Sequence, residues 1–345
     1  MRFRRRTDEH AEADSIDQRP MYGNGLHLAV TAEMIGPILE PLRAEQVPDH
    51  GTEFYVDWAG IRTRIPMLPW VPPRFAGTTD LKAPVQSDGY RSDADEYVAL
   101  ALSLTSNADT YRVVELGAGH APWAVMGIAC ARRRGKHASG LAVEADSERA
   151  SWAVQHAKDN DVTVELVTGS PDEIAARIAT PGDIELLVVQ AAVWTERAVV
   201  RFPVLDPGDM GGAASSDLDP EMDYRGAHPK HVDVPAITLL DVLIPGRATD
   251  FMHVDLQGQE AEVLIPEAEL VSQRVRYMEI GTHNRYVEGL LQEAFLRGEW
   301  ALLMESPCTA VYDGVKPTLT GFTTHDGSQV WANSRFRDAN PIILR

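Results

Sequence analysis

The sequence predicts an α/β protein with a doubly wound, mostly parallel sheet, and two patterns in the chain indicate it. Beyond Arg91, short apolar strands alternate with helical segments, as in a parallel sheet covered by helices on both faces. A glycine turn at Gly117 and Gly119 follows the first of these strands, where α/β proteins bind ligands. The chain has 345 residues, 44% of them apolar, which is enough to fill a core of one large or two modest domains.

The main domain is predicted to cover residues 91–345. A buried helix in SDADEYVALALSL, capped by Ser92 or Asp93, is expected to come first. The predicted strands are YRVVELGAG, ASGLAVEA, TVELV, IELLVVQAAVW, TDFMHVDL, RYMEIGTH, WALLMES and SQVWANS. The helices between them are APWAVMGIACARRRG, DSERASWAVQHAKDN, DEIAARI, QEAEVLI and one with an apolar face formed by Val287, Leu290, Leu291, Ala294 and Phe295. Residues 203–230 are rich in Gly, Pro, Asp and Ser and are predicted to form a long loop.

Residues 1–90 are predicted to form an N-terminal tail and an accessory or cap segment. The tail covers residues 1 to about 20, and a helix is expected around Leu28 to Leu42. A pair of short strands is expected in EFYVDWAGIRTRIP, before the proline-rich MLPWVPPRF, which excludes regular structure.

Charge and composition exclude several classes of partner. The formal net charge of −19 repels phosphate backbones and anionic membrane surfaces, so neither nucleic acid nor a membrane is an expected partner. The chain has no apolar run of the roughly 20 residues that a membrane span needs. Its two cysteines, Cys130 and Cys308, have no metal-ligand spacing, and we expect a reducing cytoplasm. A homo-oligomer is compatible with these features.

The segment VVELGAGHAPW places Glu115, Gly117 and Gly119 at the first strand-to-helix turn. Glycines there let a ligand approach the backbone and the free amides of a helix N-terminus. A dinucleotide fingerprint requires a third glycine at position 122, but Pro122 stands there, which argues against NAD. The carboxylate of Glu115 can neutralise the ammonium group of an amino-acid moiety, which a methionine-derived cofactor supplies.

The acid at the end of the second predicted strand, Glu144, indicates an adenosine ligand. A carboxylate at this position can accept hydrogen bonds from both ribose hydroxyls. Nicotinamide enzymes share this feature, so it does not distinguish the two cofactors.

Two more strand ends carry polar side chains expected at the same edge of the sheet. MHVDLQGQE places Asp255, Gln257 and Glu260 there, and EIGTH adds His283. A hydroxyl loses its proton when it is methylated, and histidine exchanges protons near neutral pH, so His283 is the predicted general base and Asp255 the second catalytic residue. We expect His253, His120 and His156 to be structural.

These segments, with VPAITLLDVL and DGSQVWANS, resemble the FkbM family of methyltransferases over roughly residues 50 to 335. The resemblance implies a Rossmann-like class I methyltransferase fold with a seven-stranded sheet, S-adenosylmethionine as donor and an oxygen acceptor, often on sugars or polyketide-like natural products. It implies that Glu115, Gly117 and Gly119 bind the methionine part, that Glu144 binds the ribose, and that Asp255 lies at the reaction cleft. The full predicted cofactor-binding set is Glu115, Gly117, Ala118, Gly119, Trp123, Glu144, Ala145, Gln190, Ala191, Asp255 and Gln257.

Some alternatives stay open at this stage. The adenine neighbours are Gln190 and Ala191 or, at the end of an earlier strand, Gly169 and Ser170. His120 and Ala121 stand where methyltransferases often have a further glycine. No metal ligand set is predicted; Asp255, Glu260 and the histidines could assemble a Mg²⁺ site, but no spacing demands one. The alternative functions are an NAD-linked oxidoreductase and a non-catalytic protein that binds an adenosine ligand.

Overall fold

The computed structural model describes residues 21–23, 26–28, 32–47, 51–83, 92, 94–206, 208–214, 223, 225–312, 314–316 and 318–336. The tail predicted for residues 1 to about 20 lies outside these residues. None of the helices in the described part is long and apolar enough to cross a membrane.

The strands of the described residues are, in chain order, β1 (Met21–Gly23), β2 (Leu26–Leu28), β3 (Phe54–Val56), β4 (Arg62–Arg64), β5 (Thr78–Thr79), β6 (Thr110–Leu116), β7 (His137–Glu144), β8 (Val164–Val167), β9 (Leu186–Gln190), β10 (Ala192–Val193), β11 (Ala198–Pro203), β12 (His231–Ile237), β13 (Thr249–Val254), β14 (Val275–Thr282), β15 (Trp300–Ser306), β16 (Thr309–Ala310), β17 (Thr323–His325) and β18 (Gly327–Asn333). The α-helices are α1 (Ala32–Leu39), α2 (Glu96–Ser103), α3 (Pro122–Arg133), α4 (Ser147–Asp159), α5 (Pro171–Ala179), α6 (Leu239–Val242), α7 (Glu260–Leu264), α8 (Ala268–Arg274), α9 (Arg285–Leu296) and α10 (Leu319–Phe322). Single 3₁₀ turns cover Glu40–Leu42, Ile65–Met67 and Pro73–Phe75.

The main sheet has the strand order β15-β18-β14-β13-β6-β7-β9-β8. All neighbours are parallel except β18, which runs antiparallel to both β14 and β15. The predicted Rossmann-like α/β fold is confirmed. The sheet has eight strands, one more than the seven that the family resemblance implies, and the four-residue β8 forms its edge beside β9.

Helices cover both faces of this sheet, as the near-continuous apolar strands require. On one face, Val113, Phe251 and Tyr277 belong to a core shared with α2, α3 and α4. On the other face, Val114 and Met252 belong to a core shared with α5 to α9. The alternation of adjacent residues between the two cores follows from the two-residue period of a strand.

The described part of the N-terminal segment packs into the first of these cores. The fully buried Trp58 and Leu42 belong to it, and Trp58 contacts the ring of Tyr97 edge-on with the centroids 6.2 Å apart. Arg64 forms a bidentate ion pair with Asp159 at 2.7 and 2.9 Å. The predicted strand pair is confirmed as antiparallel β3 and β4.

Several element boundaries differ from the predictions. Helix α2 begins at Glu96. The preceding Asp95 is fully buried and accepts hydrogen bonds from the hydroxyls of Ser306 and Ser328, and its side chain does not cap the helix. Helix α4 begins as predicted, with the Asp146 carboxylate accepting from the backbone N–H of Arg149. The three-stranded sheet β10-β12-β11 was not predicted, and it flanks the loop expected at residues 203–230, whose described residues between β11 and β12 form no strand or helix.

Candidate active site

A cavity of about 520 Å³ opens at the carboxyl ends of β6, β7 and β13. This is the edge at which α/β sheets bind ligands, and the volume lies within the usual range of small-molecule sites. Eleven of the twelve residues predicted for the site line it, namely Glu115, Gly117, Ala118, Gly119, Trp123, Glu144, Ala145, Ala191, Asp255, Gln257 and His283. The exception is Gln190.

The turn after β6 is held against its neighbours by backbone contacts. The N–H groups of Gly117 and Ala118 both donate to the carbonyl of Val143 at 3.0 Å. Gly117 has a φ of +74°, and a Cβ there would lie 1.7 Å from the carbonyl oxygen of Asp255. Only glycine fits at this position, because the turn and the end of β13 are in direct contact.

The carboxylate of Glu115 is buried at the start of α3. Its oxygens accept from the backbone N–H groups of Trp123 at 3.4 Å and Ala124 at 2.7 Å. Burial raises the pKa of Glu115 to about 7, although nearby His253 and the two N–H donors act in the opposite direction. Ala121, at the position where a glycine was noted as missing, adopts a left-handed φ of +57°, so the backbone conformation of the turn is kept without the glycine.

Glu144 ends β7 and joins two backbone segments of the site. Its carboxylate accepts from the N–H of Gly119 at 2.7 Å and from the N–H of Asp146 at 2.8 Å. Burial raises the pKa of Glu144 to about 7 despite these hydrogen bonds. Each oxygen keeps a lone pair, so the carboxylate can still accept hydrogen bonds from a ligand in the cavity.

The two alternatives for the adenine neighbours lie in different places. Ala191 is buried and lines the cavity together with Ala192 and Val193. Gln190, the last residue of β9, does not line it. Ser170 instead caps α5, where its side chain and that of Glu173 form a capping box.

Next to the glycine turn, at the carboxyl ends of β13 and β14, His283 lies between two carboxylates. Its Nδ1 is 2.8 Å from Oε1 of Glu260, and its Nε2 is 3.2 Å from Oδ1 of Asp255. Gln257 contacts the same Nε2 at 2.8 Å and donates to Oδ1 of Asp255 at 2.7 Å. Glu260 also accepts from the N–H groups of Leu256 and Gly258, so it organises the whole turn after β13.

These contacts set the protonation of the cluster. Burial would lower the pKa of His283, but the negative charges of Glu260 and Asp255 raise it well above its usual value. Burial would raise the pKa of Asp255, but the hydrogen bond and charge of His283 lower it to about 2. The two carboxylates therefore favour the charged form of His283, and its ring nitrogens both face them. The general-base role of His283 stays a prediction.

Sequence reasoning missed a group of charged residues near Glu144. Arg149, which is 3% exposed, donates to the carbonyl of Asp209, and Arg225 forms an ion pair with the Asp209 carboxylate at 2.8 Å. These contacts attach the described part of the 204–230 loop to α4. The loop was predicted to shape the site, but no motif in it indicated which residues contact the cavity.

The histidines differ in their surroundings. His156 contacts Thr63 at 3.3 Å and the carbonyl of His120 at 3.0 Å, as expected for a structural residue. Burial lowers the pKa of both His156, to about 4, and His120, so both are neutral. His253 lines the cavity and contacts Glu279, in contrast to the purely structural role expected for it.

Comparison with known proteins identifies the family of the chain. No family model matches it. Two solved structures resemble it distantly: a methyltransferase FkbM from Methylobacillus flagellatus KT, with a TM-score of 0.36 and 10% identity over 68% of this chain and 47% of that chain, and a ribosomal protein L11 methylase from Lactobacillus delbrueckii subsp. bulgaricus, with a TM-score of 0.31 and 9% identity over 73% and 88%. Similarity at this level assigns neither a family nor a substrate.

One sequence relative is much closer. Over 235 residues the chain is 31% identical to a protein of Jannaschia sp. (strain CCS1) named as a methyltransferase, and the alignment covers 67% of this chain and 76% of the relative. Taken with the glycine turn, the two strand-end acids and the cavity between them, this identity shows that the chain belongs to the methyltransferases.

Proposed function

We propose that this methyltransferase uses S-adenosylmethionine to methylate a hydroxyl group of a small molecule, in the manner of the FkbM family. The observation that carries the proposal is that one cavity is lined by Glu115 and Glu144 and also by Asp255 and His283. A donor and an acceptor bound in this cavity would lie next to each other. The excess of acidic residues and the half-buried cavity favour a small acceptor over a nucleic acid.

One set of residues that line the cavity suits an adenosyl amino acid as ligand. Glu144 would accept from the ribose hydroxyls, while Ala191 and Val193 offer an apolar surface for the adenine. Glu115 lies where its negative charge would attract the ammonium group, and the glycine turn lets the methionine part approach the backbone. When bound, the cofactor supplies a sulfonium whose methyl group is already activated for transfer.

Asp255, His283 and Gln257 would position the acceptor. Asp255 is partly exposed and, with its pKa lowered to about 2, stays a carboxylate that can accept the hydrogen bond of a hydroxyl. His283 and Gln257 fix its orientation. Positioning of this kind supplies about 7–11 kcal/mol of barrier reduction in well-oriented systems. The proton that the hydroxyl loses would pass to the Asp255 carboxylate and from there to solvent.

We expect that replacing His283 lowers kcat without weakening the binding of the cofactor. His283→Gln should reduce kcat by roughly 10- to 100-fold, less than the loss of a strong general base can cause. The kcat of the unaltered enzyme should show no ionisation near pH 6.5, because the two carboxylates keep His283 protonated well above that pH. A kcat that rises through pH 6.5 in the unaltered enzyme, and is flat in His283→Gln, would support the general-base assignment.

Cofactor binding should release protons near pH 7. Glu115 and Glu144 have pKa values raised to about 7, so each is partly protonated there. A bound cation favours the ionised carboxylates and lowers both pKa values, which expels protons. Calorimetry at pH 7 in phosphate and in Tris, whose ionisation enthalpies differ, measures this release. Glu144→Gln should release fewer protons, and proton uptake on binding would contradict the assignment.

The function itself is tested in two steps. Purified protein is first titrated with S-adenosylmethionine, for which about 2.7 kcal/mol of stabilisation is expected at a hundredfold excess over Kd. It is then incubated with the labelled donor and a panel of sugars and hydroxylated natural-product scaffolds. Methyl transfer to nitrogen or carbon acceptors alone would overturn the proposed acceptor class. Binding without transfer to any acceptor would favour a non-catalytic protein.

A further inference from the structure

A second group of ionisable side chains lies at the cavity, and the proposed function gives it no role. It consists of Glu96, His253 and Glu279, whose ligand atoms all lie within 4.8 Å of one another. His253 and Glu279 are direct partners in the register of β13 and β14. Glu96 is the first residue of α2, which packs against both strands. Three separate elements therefore bring these side chains together.

The buried members of this group lack partners among the described residues. Glu279 is completely buried, and neither of its carboxylate oxygens has a hydrogen-bond partner there. Nδ1 of His253 is also buried without a hydrogen bond. A buried carboxylate without donors is costly, so Glu279 needs either a proton or a cation. Burial and the nearby charges of Asp95 and Asp255 raise its pKa, which makes a proton the competing occupant.

The geometry of the group fits a metal ion. Nε2 of His253 and Oε2 of Glu279 are 3.0 Å apart, but the two side chains form no hydrogen bond. Adjacent ligands at ~2.1 Å from an octahedral ion are themselves ~3.0 Å apart, which matches this separation. The ring of Trp123 lies against the His253 ring, with the centroids 5.3 Å apart and the planes inclined by 32°, and this contact fixes the imidazole.

We propose that Glu96, His253 and Glu279 bind one divalent transition-metal ion of the Mn²⁺ type. One imidazole and two carboxylates suit Mn²⁺, Fe²⁺ or Zn²⁺, whereas Mg²⁺ and Ca²⁺ prefer oxygen ligands alone. Glu96 and His253 line the cavity, so the remaining coordination positions would face its interior. If the proposed function holds, an acceptor hydroxyl would occupy one of them, and the ion would lower the pKa of that hydroxyl.

The other cluster of this composition is less suited to a metal ion. In the group Asp255, Glu260 and His283, both ring nitrogens already contact a carboxylate, and the imidazolium balances part of their charge. A metal ion bound there would have to displace that proton and both contacts. Glu279 lies 3.0 Å from Nε2 of His253 but has no hydrogen bond among the described residues, which is why we assign the ion to its group.

The proposal is tested by metal binding to the full chain without any methyl donor. Protein treated with a chelator and dialysed is titrated with Mn²⁺, and free Mn²⁺ is followed by electron paramagnetic resonance. We expect one bound ion per chain and a rise in Tm. Glu279→Gln and His253→Gln should each weaken binding at least about tenfold, since even residues that only support metal ligands cost 10- to 100-fold.

Two control variants separate this site from the alternatives. Glu288→Gln removes another buried acid and should bind Mn²⁺ like the unaltered protein. Asp255→Asn should also retain the ion. Absence of a bound ion in the unaltered protein would overturn the proposal and leave Glu279 as a protonated acid. Loss of binding in Asp255→Asn with retention in Glu279→Gln would move the site to the other cluster. Because no donor is present, neither outcome depends on the proposed methyl transfer.

Discussion

Gly117→Ala should destabilise the protein by roughly 4 kcal/mol, which is among the largest effects expected of a single methyl group. The added Cβ would lie 1.7 Å from the carbonyl oxygen of Asp255, so backbone must move in the β6 turn or at the end of β13. The residue also has a φ of +74°, which alone costs about 1–2 kcal/mol for an L-residue. Denaturant unfolding measures the loss directly.

Gly135→Ala is the matched control for this substitution. Gly135 has nearly the same φ, +76°, but a Cβ there would meet nothing within 4 Å. Its replacement should cost only about 1–2 kcal/mol, the strain of the left-handed conformation. The difference between the two variants then isolates the contact with Asp255. Equal losses would show that the turn and the end of β13 are not tightly packed.

Glu144→Gln should weaken the binding of S-adenosylmethionine about 10- to 100-fold, since a hydrogen bond to a charged group is worth about 1.5–3 kcal/mol. The substitution keeps the size of the side chain but replaces one acceptor oxygen by a donor. That donor would face the N–H of Gly119 or Asp146, or a ribose hydroxyl. Isothermal titration calorimetry gives the Kd, and the demethylated cofactor should be weakened to the same degree because its ribose is unchanged.

Glu148→Gln serves as the control for charge. Glu148 lies in the exposed first turn of α4, and its replacement by Gln also removes one formal negative charge. It should leave the Kd within about twofold, because an exposed charge is screened by solvent. If both variants weaken cofactor binding equally, the effect comes from overall charge, and the assignment of Glu144 to the ribose fails.

The sequence was informative where one residue type has one structural use. Gly117 and Gly119 marked the ligand turn, and strand-end acids such as Glu144 and Asp255 were placed at the cavity because parallel strands end at one edge. The chain order of the strands in the main sheet followed from apolar runs and turn residues, but the β10-β12-β11 sheet did not.

The rest depended on contacts between residues distant in sequence. Nothing near His283 in the chain shows that Glu260 and Asp255 enclose it, and those contacts decide its protonation. The pairing of His253 with Glu279 depends on the register of two strands more than twenty residues apart. Arg149 contacts Asp209, a described residue of the 204–230 loop that is 60 positions away in the chain.

Helix α4 links the accessory segment to the cavity. Its last residues are fixed to β4 through the Arg64–Asp159 ion pair and two reciprocal hydrogen bonds between Asn160 and Arg62. Its first turn carries Arg149, which faces the cavity. Thirteen residues form a rod ~20 Å long, so a displacement at one end is transmitted to the other. The accessory segment and the cavity are therefore supported by the same helix.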